Sequence, residues 1–111
     1  MIKGIGCDIV EIARLKDRLK KKILSPAELT VYEGFESETR RREYLAGRFA
    51  VKEAIVKAAG IVPFPELVVL DDENGKPHLS CAALEGLSVW VSISHEKAYA
   101  IGLCVVEETA L

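Results

Sequence analysis

This chain has little with which to build a disulfide framework or a zinc site. Its three cysteines, Cys7, Cys81 and Cys104, lie far apart, are odd in number and form no Cys-x-x-Cys pair. Set in apolar, strand-like contexts, they are expected as reduced core thiols of a cytosolic protein. No Cys/His cluster is present to hold zinc. No apolar run is long enough to span a membrane. Charged and glycine residues interrupt the N-terminal stretch, so no signal peptide is expected. Gly4-Ile5-Gly6 lacks the third glycine and the strand–turn–helix setting of a dinucleotide fingerprint. There is no Gly-x-Ser-x-Gly element, and no repeat, low-complexity segment or interdomain linker. The basic excess of a general nucleic-acid binder is also missing, since the net charge is −2. These absences point to a cytoplasmic protein with neither nucleic acid nor membrane as partner.

What is present suits one packed core. The chain has 111 residues, half of them apolar, which fits a single domain over residues 1–111. The modest net charge hides two basic clusters. Lys16, Arg18, Lys20, Lys21 and Lys22 form one, and Arg40, Arg41, Arg42 and Arg48 the other. Such patches suit an acidic partner or a phosphorylated ligand.

Residues 2–10 read as a buried strand, with Ile5, Cys7 and Ile9 on one face and Gly4, Gly6, Asp8 and Val10 on the other. Ile12, Leu15, Leu19 and Ile23 recur at helical spacing and predict a helix over 11–24. Ser25-Pro26-Ala27-Glu28 is a capping box that opens a short helix ending near Gly34. A long helix is predicted from residue 37 or 38 to Ala59, stopped by Gly60. A proline-rich loop follows over 62–65. Strands over 66–70 and 78–81 flank a hairpin turn at 71–77, where Asn74-Gly75 is the strong signal. A short helical or turn segment at 82–86 precedes two apolar strands, 87–94 and 99–106. The order of elements implies α+β architecture with a largely antiparallel sheet packed against a long helix.

Two carboxylates stand out because their surroundings are apolar. Asp8 interrupts a strand and Glu53 an apolar helix, and an isolated buried carboxylate is costly unless compensated. Glycines beside Asp8 let a ligand or another backbone come close. The two carboxylates are candidate ligands for one hard cation. With waters and phosphate oxygens completing the shell, that cation would be Mg²⁺. Asp8 also fits a strand-end carboxylate bonded to a helix N-terminus near Glu11. Glu53 and Lys57 share a helix face. Arg48 and Lys52 sit in an apolar arc and need partners; a solvent-edge lattice of ion pairs with stems over the core is the simpler reading. His95, beside Ser94 at a strand end, reads as a solvated turn residue or as a donor to a phosphate. His78 is assigned no role. Trp90 is read as core or subunit interface.

Three segments together carry a resemblance. They are Gly4-Ile5-Gly6-Cys7-Asp8-Ile9-Val10-Glu11-Ile12, Leu45-Ala46-Gly47-Arg48-Phe49-Ala50-Val51-Lys52-Glu53-Ala54, and Val91-Ser92-Ile93-Ser94-His95. In order and spacing the chain resembles the short class of 4′-phosphopantetheinyl transferases, the holo-[acyl-carrier-protein] synthases. The resemblance covers nearly the whole chain. It implies one copy of that fold per chain. It also implies transfer of the phosphopantetheine arm of coenzyme A to a serine of apo acyl carrier protein, with release of adenosine 3′,5′-bisphosphate. It assigns Asp8 and Glu53 to Mg²⁺, and Lys57 to the pyrophosphate with Arg48 and Lys52 in or near that site. Arg40 and His95, with Ser94, meet the nucleotide end of coenzyme A, and Arg14 and Arg18 dock the acidic carrier. Glu53, or a water it orients, becomes the general base. A homotrimer with sites between neighbours is implied, Asp8 and Glu53 coming from one chain and other contacts from the next. The segment 60–65 is shorter than the family's loop there, and Ser94 stands where the family often has threonine. A catalytically silent module of the same fold that binds coenzyme A or a nucleotide is the alternative, and a small phosphohydrolase is weaker.

Overall fold

The computed structural model describes residues 1–108. Strand β1 (Ile2–Glu11) pairs antiparallel with β5 (Tyr99–Glu108), which pairs antiparallel with β4 (Leu87–His95). The sheet order is therefore β1-β5-β4, with β1 and β4 at its edges. A separate hairpin joins β2 (Val68–Asp71) to β3 (Pro77–Ser80) around the Asn74-Gly75 turn.

One face of the three-stranded sheet packs on the long helix α3 (Glu38–Ala59). Glycine makes the approach close. A Cβ at Gly4 would lie 2.0 Å from the Ala58 carbonyl oxygen, and one at Gly6 1.9 Å from that of Ala54. A Cβ at Gly102 would meet the Val51 amide nitrogen at 2.3 Å. No side chain fits between these backbones, so β1 and β5 lie directly against the helix. Ser37 caps the start of α3, accepting from the Arg40 amide, and Gly60 ends it at φ 106°, where only glycine is unstrained.

The short helix α2 (Pro26–Gly34) begins with the expected capping box. Its glutamate does more than cap. Fully buried, Glu28 accepts from the Ser25 amide at 2.8 Å, from the Val69 amide at 2.8 Å and from Lys52 Nζ at 2.6 Å. Lys52 Nζ also donates to the carbonyls of Ile23 and Phe64. One buried ion pair thus ties α2, α3, β2 and the loop after α3 together. Burial lowers the Lys52 pKa, and the Glu28 carboxylate opposes that shift.

Three expectations need correction. The continuous helix over 11–24 is instead two 3-10 turns (Ile12–Arg14 and Asp17–Leu19) and one helical turn α1 (Lys20–Ile23). Ile12, Leu15 and Ile23 still face the core, because short turns separated by extended residues repeat the same inward pattern. Strand β1 is not buried on both faces. Its division into faces stands, but Ile5 and Ile9 are 63% and 60% exposed. Cys7, between them, is exposed and not a core thiol, whereas Cys104 is buried and its pKa rises to about 11 through burial. No helix among the described residues is long and apolar enough to cross a membrane.

Candidate active site

Asp8 lies on the helix-facing side of β1, opposite Gly102 of β5. It is two residues from Gly6, whose missing side chain brings the Ala54 turn of α3 against the strand. Glu53 and Lys57, one helical turn apart on α3, are thereby delivered beside Asp8. Lys57 Nζ reaches Asp8 Oδ1 at 3.2 Å and the Cys7 carbonyl at 3.0 Å. The partner of Asp8 is this lysine and not a helix N-terminus. The ammonium is half exposed, so a ligand can share it.

Asp8, Glu53 and Arg14 line one open hollow of about 300 Å³, with Phe49, Leu15 and Leu19 as its apolar wall. Glu53 is half-buried and has no hydrogen-bond or ion-pair partner among the described residues. Two carboxylates on one hollow, one of them unpartnered, fit a hard cation that completes its shell with water and phosphate oxygens. The described residues contain no cluster of three or more His, Cys, Asp or Glu side chains around a point. Zinc and calcium, which need fuller protein cages, therefore fit poorly.

A second hollow, of about 140 Å³, lies at the other edge of the sheet and shares no lining residue with the first. Arg40, Tyr44 and Arg48, four residues apart on one face of α3, meet Phe35 and Asp71 there, with Ile93 and His95 at the end of β4. The Arg40 guanidinium lies 4.8 Å from the Phe35 ring centroid and that of Arg48 4.3 Å from the Tyr44 centroid. Arg48 also donates to the Val69 carbonyl and, at 2.8 Å, to Asp71. His95 stands 3.9 Å from Glu43. With β5 between them, the edge strands that carry Asp8 and His95 are about 10 Å apart.

The expected site residues therefore divide. Asp8, Glu53 and Lys57 come together, with Arg14 beside them, and Arg40, Arg48 and His95 come together elsewhere. Arg18 is exposed on the 3-10 segment next to Arg14. Two expected residues lie apart from both hollows in this chain. Lys52 faces neither hollow, because its ammonium is fully buried against Glu28 and two carbonyls. Ser94 does not join His95, because strand alternation turns it to the outer face of the sheet, opposite Ile101. Tyr44, Phe35 and Asp71 were not anticipated. The spacing of Arg40, Tyr44 and Arg48 was the available signal.

The family described as the 4′-phosphopantetheinyl transferase superfamily matches residues 4–104. The holo-[acyl-carrier-protein] synthase of Bacillus subtilis is 42% identical over 118 residues, covering 96% of this chain and 97% of that protein. The synthase of Petrotoga mobilis is 36% identical over 115 residues, with 96% and 97% covered. The crystal structure of a holo-(acyl-carrier-protein) synthase from Bacillus anthracis in complex with CoA (3′,5′-ADP) superposes with a TM-score of 0.89. It is 39% identical and covers 98% of this chain and 99% of that one. A family match over residues 4–104, with relatives of this identity over nearly the full length, places the chain in the 4′-phosphopantetheinyl transferase superfamily.

Proposed function

We propose that this chain transfers the 4′-phosphopantetheine arm of coenzyme A to a serine of apo acyl carrier protein. The observation that carries the reading is the convergence of Asp8 and Glu53 on one open hollow, with Lys57 bonded to Asp8, in a chain of this family. The serine oxygen attacks the phosphorus that bears the pantetheine arm. A new P–O bond forms, the pyrophosphate bridge breaks, and adenosine 3′,5′-bisphosphate leaves. Such a reaction asks the protein for in-line positioning and charge stabilisation more than for covalent help.

Asp8 and Glu53 are the residues that would hold Mg²⁺. When bound, that ion supplies charge neutralisation on the pyrophosphate and eases departure of the leaving group. Lys57, already aimed at Asp8, adds positive charge to the same phosphates. Glu53 takes the serine proton, directly or through one water. Arg14 and the exposed Arg18 present positive charge at the rim, where the acidic carrier docks.

The second hollow supports a site shared between subunits. A ligand lying on the Asp8 hollow of one chain has α3 between it and the Arg40–His95 hollow of the same chain. A neighbouring copy can supply its own Arg40–His95 hollow without that obstacle. The outer face of the sheet suits such an assembly. Ile5, Ile9, Ile101, Leu103, Trp90 and Tyr99 are exposed on it, an apolar surface of a kind that monomers seldom leave uncovered. We read the protein as a homotrimer of single-domain chains over residues 1–111, acting in the cytoplasm, where its free cysteines would stay reduced.

Intact-mass measurement of apo acyl carrier protein after incubation with this chain, coenzyme A and Mg²⁺ tests the reading. A phosphopantetheine-sized gain that EDTA abolishes is expected, and Asp8→Ala or Glu53→Ala should abolish it in a folded protein. No gain on a panel of competent carriers, with coenzyme A still bound, would leave the silent binding module in its place. Turnover of coenzyme A without a carrier would indicate a hydrolase.

A further inference from the structure

The Lys57 ammonium occupies the kind of position that a hard cation takes. It sits between two oxygens, Asp8 Oδ1 at 3.2 Å and the Cys7 carbonyl at 3.0 Å. Carboxylate and carbonyl oxygens are the donors that such a cation prefers. Asp8 needs a positive neighbour, because its side chain is only 20% exposed and Glu53 lines the same hollow. Two carboxylates on one hollow repel each other, and the ammonium offsets one of them. The hold is loose all the same. Lys57 reaches Asp8 on a flexible stem, its side chain is 52% exposed, and 3.2 Å is long for a charge-assisted bond. An ammonium held in this way can leave when a stronger anion arrives.

Charge balance says when it leaves. Asp8, Glu53 and Lys57 together carry a single net negative charge. A divalent cation added alone turns the site positive. A doubly charged pyrophosphate added alone makes it strongly negative. The two added together restore the starting balance. We propose that Lys57 is a placeholder for the divalent cation, holding Asp8 in the free chain and passing to the pyrophosphate when the cation takes its place. This inference rests on the transferase reading and adds to it a coupling between the two ligands. A lysine that bound only the anion would not affect the metal in a chain free of coenzyme A. The placeholder does, because it competes for Asp8 and repels the incoming cation. Linkage then fixes the rest: losing Lys57 lowers the mutual enhancement of metal and coenzyme A by one factor, whichever ligand is measured.

The test uses Mn²⁺, whose binding is read by electron paramagnetic resonance without turnover. It is titrated into the full chain with and without coenzyme A, against coenzyme A alone as the blank. Wild type is compared with Lys57→Met, which keeps the apolar stem, and Lys57→Gln, which can still donate to the Cys7 carbonyl. Without coenzyme A both variants should hold Mn²⁺ about tenfold more tightly than wild type, the solvent-screened end of the repulsion between an ammonium and a neighbouring divalent ion. With coenzyme A present that gain should disappear, and the variants should lose affinity for coenzyme A chiefly when metal is there. Asp8→Asn should remove the bound signal; a signal that survives it would place the ion elsewhere and overturn the proposal. Unchanged or weaker Mn²⁺ binding by both variants without coenzyme A would also overturn it, leaving Lys57 as an anion ligand alone. If the wild-type chain holds no Mn²⁺ even with coenzyme A, the metal assignment of the transferase reading falls together with this inference, a result distinct from the other two.

Discussion

Gly6→Ala is the sharpest probe of how the fold makes the site. The new methyl carbon would start 1.9 Å from the Ala54 carbonyl oxygen, a backbone atom that cannot swing aside. Ordinary contact requires β1 and α3 to part by about 1.5 Å at this point. Gly6 is two residues from Asp8, and Ala54 adjoins Glu53. The displacement therefore falls on the spacing between the two carboxylates and on the 3.2 Å contact from Lys57 to Asp8. Overpacking of this kind costs about 1–3 kcal/mol of stability. Misplacing catalytic groups by about 1 Å costs on the order of 100-fold in rate. The expected variant is folded, with a lower urea midpoint and a carrier-modification rate down by about two orders of magnitude. Gly34→Ala serves as the control, because a Cβ there meets nothing within 4 Å. It should keep full activity and gain up to about 1 kcal/mol. A Gly6→Ala protein with wild-type stability and rate would refute the claim that close glycine packing sets the carboxylate spacing.

Other perturbations address separate parts of the molecule. Glu28→Ala leaves the Lys52 ammonium buried without its counter-ion and should cost about 3–5 kcal/mol in urea unfolding. Adding Lys52→Met should restore much of that loss, and failure to do so would mean the pair is not the relevant contact. Ile101→Asp puts a charge at the middle of the exposed apolar sheet face. Analytical ultracentrifugation should show trimers giving way to monomers with loss of activity, whereas an unchanged sedimentation profile would place the interface elsewhere. Tyr32 donates to Asp17 at 2.7 Å; its own pKa is raised to about 12 by burial and then by this bond, which also lowers that of Asp17. The raised phenol stabilises the fold fully below the usual 10.0 and loses that contribution as pH climbs towards about 12. The lowered carboxyl stabilises above the usual 3.8 and loses its contribution as pH falls through the folded value. Tyr32→Phe should flatten both limbs of the stability–pH curve, and an unaltered curve would remove the bond from the account.

Lys52 and Lys57 show what helical spacing can carry. Both were placed at the coenzyme A site by the resemblance, although spacing put Lys57 on the Glu53 face and Lys52 within an apolar arc that needed a partner. The angle around a helix follows from residue number, but what packs on each face does not. Lys57 points past the glycines of β1 to Asp8, which the strand alternation at 4, 6 and 8 already implied. Lys52 turns into a core formed by segments far from it in sequence, where Glu28 waits at 2.6 Å. The capping box had accounted for Glu28 by a local role, so nothing in the pattern asked for a second partner. The long helix, the hairpin and the sheet strands were legible because each has a strong local signal in period, cap or turn. The stretch after β1 was not, because inward residues at spacings of three and four fit a helix and a chain of 3-10 turns alike. Nor was the outer sheet face, because alternation looks the same whether the covering surface belongs to this chain or to a neighbour. A charged residue within an apolar arc of α3 therefore announces a buried partner as readily as a ligand. What separates Arg48 and Lys57 from Lys52 is that Arg48 lines an open hollow and the Lys57 ammonium is half exposed beside Asp8.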